Sequence, residues 1–157
     1  LRLSEEKEQG THILKPVPAY LKKASLVPAN EHLTMQIARQ VYGINTAENA
    51  MIFFSDGSPA YITKRFDANE EGGKWRKEDF ATLAGKTQDS AGSNFKYDFS
   101  YEELGLLIQN YVPAWRVDIE KYFIFVLFNF LFSNVDAHLK NFSLLENAHG
   151  DFLLSPA

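Results

Sequence analysis

The chain has 157 residues, 45% of them hydrophobic and 23% charged, a balance that supports one domain or two small lobes with a real core and excludes a chain disordered by composition. Its 16 Lys and Arg against 20 Asp and Glu leave a net charge of −4, so direct nucleic-acid binding, which needs a concentrated basic surface, is not expected. Cysteine is absent, which rules out disulfides and thiolate metal sites and points to a reducing cytoplasm. The most apolar run, Tyr122 to Phe132, carries Asn129 and falls well short of the ~20 residues that cross a bilayer. It reads as a core helix, and no membrane partner is expected. The opening LRLSEEKEQG has neither a Met nor a leader pattern, and the closing LLSPA follows directly on a hydrophobic run. Both ends read as cut from something longer.

In chain order, Thr11 to Pro16 is a short apolar run stopped by proline. Pro16 removes a donor and biases Lys15 toward extended backbone, which predicts a strand. After a Pro-bearing connection from Val17 to Pro28, Asn30 is expected to cap a helix over Glu31 to Tyr42. Leu33, Ile37 and Val41 would share one face of that helix, with Gly43 just past its end. Met51 to Phe54 and Ala60 to Phe66 flank SDGSP, whose Asp56-Gly57 pair predicts a tight hairpin.

The charge run Glu70 to Lys77 reads as a solvated loop. A short helix is expected at Glu78 to Ala84, ended by Gly85, and Lys86 to Phe99 is polar enough to be an exposed loop. Ser100 and Glu103 have capping-box spacing, so a helix should start there and run to about Tyr111. Val117 to Phe132 predicts a long helix, apolar almost all round from Tyr122 onward, as a central core element would be. FSLL and DFLL bracket ENAHG and predict a terminal hairpin. The fold class is therefore α+β, with a β-rich part over residues 1–67 and a helical part over 68–157, joined near Arg65 to Asp67.

The densest chemistry follows the apolar helix. FSNVDAHLKNFSLL presents Asp136, His138, Lys140 and Asn141 within a few positions. In kinase phosphotransfer a catalytic-loop Asp accepts the substrate hydroxyl proton and an Asn in D-x-x-x-x-N spacing holds magnesium; Asp136 and Asn141 have that spacing. Lys140 would neutralise phosphate, and His138 would steady the loop or contact nucleotide or metal. The blander alternative is that these residues only cap a helix and solvate a turn. Chain order weighs against it: a strand-borne Lys15, a helix carrying Glu31 and a hairpin follow the order of a kinase small lobe. His12, His32 and His149 lack metal-ligand spacing and read as surface or satisfied histidines. Trp75 and Trp115 read as packing residues.

At these residues the chain resembles the HipA-like serine/threonine kinases, whose toxin members belong to bacterial toxin-antitoxin systems. HILKP is similar to that family's ATP-lysine strand, ANEHLTMQIAR to its first large helix, ITKRFD to its hinge strand, and FNFLFSNVDAHLKNFSLL to its catalytic segment. The resemblance implies a protein-kinase-like two-lobe fold, incomplete at both ends, with ATP and Mg2+ as cofactors. It implies that Lys15 contacts the phosphates, that Lys64, Arg65 and Phe66 line the adenine hinge with Asp67 near the ribose, and that Asp136 is the catalytic base. His138, Lys140 and Asn141 would lie at the nucleotide, with Asn141 on the metal. Lys96-Tyr97 resembles the family's lysine-tyrosine element near the substrate side.

Two parts of such a site have no counterpart here. No phosphate-covering loop is recognisable in LRLSEEKEQGT, and the family's main metal-binding Asp would lie past Ala157. Asp151 reads as a turn residue instead. The expectation is that this fragment alone is inactive while its parent transfers the ATP γ-phosphate to a protein hydroxyl. Implied partners are a protein substrate, an aminoacyl-tRNA synthetase in characterised relatives, and a HipB-like helix-turn-helix antitoxin. The competing expectation is a non-catalytic kinase-like module that binds an antitoxin or other protein. A metal-dependent hydrolase using Asp136 and His138 is a weaker third, since further ligands at suitable spacing are lacking.

Overall fold

A computed structural model describes residues 10–69 and 72–157. They fall into two compact units, one ending at Lys74 and the other starting at Trp75. The segment LRLSEEKEQ and the Glu70-Glu71 part of the charge run lie outside the described residues.

In the first unit, strands β1 (His12–Pro16), β2 (Asn49–Phe53) and β3 (Pro59–Lys64) form an antiparallel sheet in the order β1-β3-β2. The hairpin between β2 and β3 turns where Asp56-Gly57 predicted. Gly57 takes φ 80°, where a side chain is strained, and Asp56 Oδ1 accepts the Ser58 N–H at 2.9 Å. The register sets Lys15 opposite Tyr61, and Tyr61 is buried.

Helix α1 (Val27–Gln40) packs on β2 and β3, but two expectations about it fail. It starts at Val27, not after Asn30. A 3-10 turn over Ala24–Leu26 leads into it and Pro28 occupies its first turn, where a missing N–H costs nothing and the fixed φ suits a helix. Nor does the Leu33, Ile37, Val41 face point inward: Leu33 is 59% and Val41 71% exposed, whereas Pro28 and Ala38 are buried. Polar ties select the face that meets the sheet, because Asn49 Oδ1 of β2 sits 2.9 Å from His32 Nδ1 and accepts from Gln36 Nε2 at 3.1 Å. The helix ends at Gln40, short of the expected Tyr42, and Gly43 at φ 65° lies in the turn that follows.

The second unit is built on a second antiparallel sheet, β4 (Lys77–Asp79), β5 (Ser143–Glu146) and β6 (Phe152–Leu154), in that order. The terminal hairpin β5-β6 matches expectation, and Asp151 lies exposed at its turn. Strand β4 does not match. The predicted helix from Glu78 instead begins at Phe80, because Glu78 pairs with Leu144 on β5 and Asp79 caps the single turn α2 (Phe80–Leu83) by accepting from Thr82 N at 2.9 Å. The expected loop Lys86 to Phe99 contains the turn α3 (Gln88–Ala91), boxed by Thr87 and Ser90, and a 3-10 turn over Phe95–Tyr97.

The Ser100/Glu103 capping box is formed and starts α4 (Tyr101–Tyr111). It packs on α5 (Trp115–Leu131). The core joins Phe80, Leu104, Ile108, Tyr122, Leu139, Phe142 and Leu144, with Trp115 packed against it. Helix α5 is not buried all round as expected: Tyr122 joins the core and Phe128 is buried, stacked on Phe132, while Phe123 is 60% and Phe130 80% exposed. Among the described residues α5 packs against α4 and β6, and its Tyr122 and Phe125 rings meet Phe142. None of the described helices is long and apolar enough to cross a membrane.

Candidate active site

Two sets of polar side chains stand out, one in each unit. In the first, Lys15 leaves β1 with its ammonium 2.5 Å from Glu31 Oε1 on α1, and the same nitrogen lies 5.5 Å from the centre of the Tyr61 ring. The strand pins the lysine stem and the ring beneath limits where its head can swing. Burial, aided by the Glu31 charge and opposed by a Thr63 hydrogen bond, keeps the Tyr61 phenol protonated above its ordinary range. The ion pair is half exposed, with side-chain exposures of 51% for Lys15 and 31% for Glu31, so its contribution to stability is small. Its interest lies in where it holds the amine. Glu31 was placed by chain order alone in the sequence, and nothing in the residue pattern assigned it to Lys15.

At the end of β3, Lys64 pairs loosely with Glu48 at 3.3 Å. Arg65 closes on Asp67 in a two-pronged contact, Nε to Oδ1 at 2.9 Å and Nη2 to Oδ2 at 2.6 Å. Asp67 is 6% exposed, so its charge is held by a fork-shaped donor that suits a buried carboxylate. The Arg65 N–H donates to Thr11 O at 2.8 Å, tying this segment to the start of β1, and Phe66 is half buried.

In the second unit the polar loop is fastened at both ends. Where α5 stops, Asn134 donates through its side chain to Asn129 Oδ1 at 3.0 Å and through its backbone to Asn129 O at 2.8 Å. Ser133 between them adopts φ 55°. Leu139 within the loop and Phe142 just past it are fully buried, and Phe142 sits against Phe80, Tyr122 and Phe125. Asp136 and Asn141 thus project from a short bend whose flanking apolar residues are locked in the core, the rigidity that positioned chemistry requires.

Within that bend, Asn141 Oδ1 accepts the His138 N–H at 2.8 Å, leaving a second lone pair on the oxygen. His138 Nδ1 is buried without a hydrogen-bond partner. Lys140 leans toward Asp79, 3.9 Å from its Oδ2. Asp136 is exposed, and its Oδ1 accepts from the Tyr97 hydroxyl at 2.6 Å. That hydrogen bond, aided to a lesser degree by the nearby His138 and Lys96, holds the Asp136 carboxyl below the usual carboxylate range, with burial opposing it. Tyr97 also stands edge-on to the His138 ring, centroids 5.3 Å apart. Of the residues expected at the site, Asp136, His138 and Asn141 therefore cluster with Tyr97, while Lys140 turns aside. Among the described residues no group of three or more His, Asp or Glu converges into a metal cage. A hard cation here would take the Asn141 oxygen together with ligands from a bound phosphate, the usual habit of magnesium.

A family model for the HipA-like C-terminal domain matches residues 1–157. The chain belongs to that family. A Haemophilus influenzae (strain Rd) protein named "Putative kinase" is 27% identical over 150 residues, covering 90% of this chain and 43% of that protein. Among solved structures, a chain of the Shewanella oneidensis MR-1 toxin-antitoxin complex of HipA, HipB and operator DNA superposes with a TM-score of 0.70 at 24% identity. That match covers 93% of this chain and 36% of the other. This HipA-like chain thus spans less than half the length of both relatives, and the structural match speaks to the fold, a mixed α/β arrangement shared with HipA.

Proposed function

We propose that this HipA-like chain supplies the ATP lysine and the catalytic loop of a serine/threonine protein kinase, the toxin component of a toxin-antitoxin pair. The observation that carries this reading is the strand-to-helix ion pair of Lys15 and Glu31 at 2.5 Å, because protein kinases hold their phosphate-binding lysine with a helix glutamate in that way. Asp136 would orient the acceptor hydroxyl and take its proton as the bond to the γ-phosphorus forms. Asn141 would hold magnesium, and Lys15 would offset charge on the phosphates. Lys64, Arg65, Phe66 and Asp67 would line the base and ribose, with His138 and Lys140 beside the phosphates. The acceptor would be a protein hydroxyl, on an aminoacyl-tRNA synthetase. A HipB-like protein is the partner; operator DNA, present in the Shewanella complex, would be held by that partner, in keeping with this chain's net charge of −4.

The test is phosphotransfer from labelled ATP by the complete protein that contains this chain. Asp136→Asn should cut turnover by about 10²–10⁴-fold, the usual weight of a positioned base, with the nucleotide still bound. Lys15→Met should raise the KM for ATP. Turnover unaffected by both substitutions would refute the reading.

A second reading, a non-catalytic module for a partner protein, draws on the exposed row Phe123, Leu127 and Phe130 along α5. It requires that Phe130→Asp abolish partner capture while Asp136→Asn and Lys15→Met leave every measured property unchanged.

A further inference from the structure

The contact between Tyr97 and Asp136 is the least expected feature of the second unit. The two residues are far apart in sequence, and an exposed carboxylate has no need of a phenol to solvate it. Yet Tyr97 is not a side chain that happens to brush past. It ends the 3-10 turn Phe95–Tyr97, and Phe95, which starts that turn, and Phe99, which follows it, pack against the core. The Lys86 ammonium fastens the next residue by donating to Asp98 O, and it reaches Asp98 Oδ2 at 3.1 Å. The His138 ring abuts Tyr97 edge-on, and His138 is itself fixed through its N–H by Asn141. The phenol is therefore delivered to Asp136 by a braced loop, and its 2.6 Å hydrogen bond takes up Oδ1 alone.

We infer that Tyr97 is a positioning residue for Asp136: by pinning Oδ1 it fixes the carboxylate plane and leaves Oδ2 as the oxygen presented to an acceptor hydroxyl. The role rests on Asp136 acting as proposed above. Without the phenol, a carboxylate on an exposed bend rotates freely about its last bond, and the share of time spent facing an acceptor falls. Loss of register at a reacting group costs up to about 10²-fold in rate. The groups facing Asp136 besides Tyr97 are His138 on its own loop and Lys96 on the neighbouring one; both remain in a Tyr97→Phe variant, so that substitution isolates the hydroxyl while preserving the ring against His138.

The experiment compares wild type and Tyr97→Phe in the complete protein with two readouts. Carboxyl carbon NMR follows the titration of Asp136 and needs no activity; Tyr97→Phe should titrate at higher pH. Phosphotransfer should fall about 10-fold or more in kcat with little change in the KM for ATP, and the acid limb of kcat/KM should move to higher pH. Tyr97→Phe added to Asp136→Asn should cost nothing further, since the phenol acts only through that carboxylate; an additive loss would mark a merely structural residue and overturn the inference. Unchanged titration with unchanged kcat also overturns it. A rise in kcat would mean that the phenol blocks the acceptor's place, and that too overturns it. A shifted titration in a protein with no phosphotransfer at all refutes the kinase reading itself, and the positioning role with it, while the contact stands.

Discussion

Asp118 offers a demanding check on the second unit. It lies in the first turn of α5 at 2% exposure, and its Oδ2 accepts the Leu154 N–H of β6 at 2.7 Å while Oδ1 meets Lys121 Nζ at 2.7 Å. Strand β6 is the edge of its sheet, so this N–H has no ladder partner and the helix carboxylate covers it. In Asp118→Ala the buried donor is left unsatisfied, at about 1–3 kcal/mol. Loss of a carboxylate near a helix N-terminus adds about 0.3–1 kcal/mol. The Lys121 pair adds less than about 1 kcal/mol, because the lysine is 56% exposed. Better helix propensity of alanine returns about 0.7 kcal/mol. The net expectation is a loss of about 2–3 kcal/mol, which urea unfolding would show as a midpoint lower by about 1–2 M at an ordinary slope. Asp118→Asn retains an acceptor oxygen and should lose about half as much, and Lys121→Ala less than either. Amide exchange at Leu154 should accelerate in the order of those losses. A stability change under about 0.5 kcal/mol for Asp118→Ala would contradict the account of β6.

Other substitutions test the loop. Leu139→Ala empties a fully buried position and should cost about 2–5 kcal/mol by thermal or urea unfolding. Ser133→Gly places the residue suited to φ 55° at the end of α5 and should stabilise by about 0.5–1 kcal/mol, read as a higher Tm. Because its partner holds the Asp136 carboxyl below the ordinary range, the stability that wild type has over Tyr97→Phe should be complete above the ordinary carboxylate pKa. It should fade as pH falls through the lowered folded-state value, and urea midpoints of both proteins taken across the acid range would trace that loss.

What could be read in advance divides by physical range. The Asp56-Gly57 hairpin, the Ser100/Glu103 box and the helix stop at Gly85 were legible because each depends on bonds made within a few residues. The start of α1 was misplaced because Asn30 is a good cap in isolation, whereas the actual entry is decided by a 3-10 turn and by Pro28 already in the helix. Strand β4 was missed for a longer-range reason: three residues extend only because β5, far along the chain, offers them an edge, and no local propensity contains that edge. The inward face of α1 was set by His32 and Gln36 meeting Asn49, polar partners that a count of apolar spacings ignores.

The candidate site shows the same division. Asp136 and Asn141 were visible because the bend that carries them is local, and D-x-x-x-x-N is a statement about one short loop. Lys15 was visible as a strand residue, but the partner that gives its ammonium a fixed address, Glu31, comes from the next element. Tyr97 comes from farther still, brought to Asp136 by a loop whose composition reads as solvent-exposed and whose two phenylalanines nonetheless reach the core. In each case the group expected to touch a substrate is set by local sequence, whereas the group that orients it arrives through tertiary packing. Substitutions at orienting positions such as Tyr97 and Glu31 should therefore act through a neighbour's titration or affinity, and a scan confined to the D-x-x-x-x-N loop would overlook them.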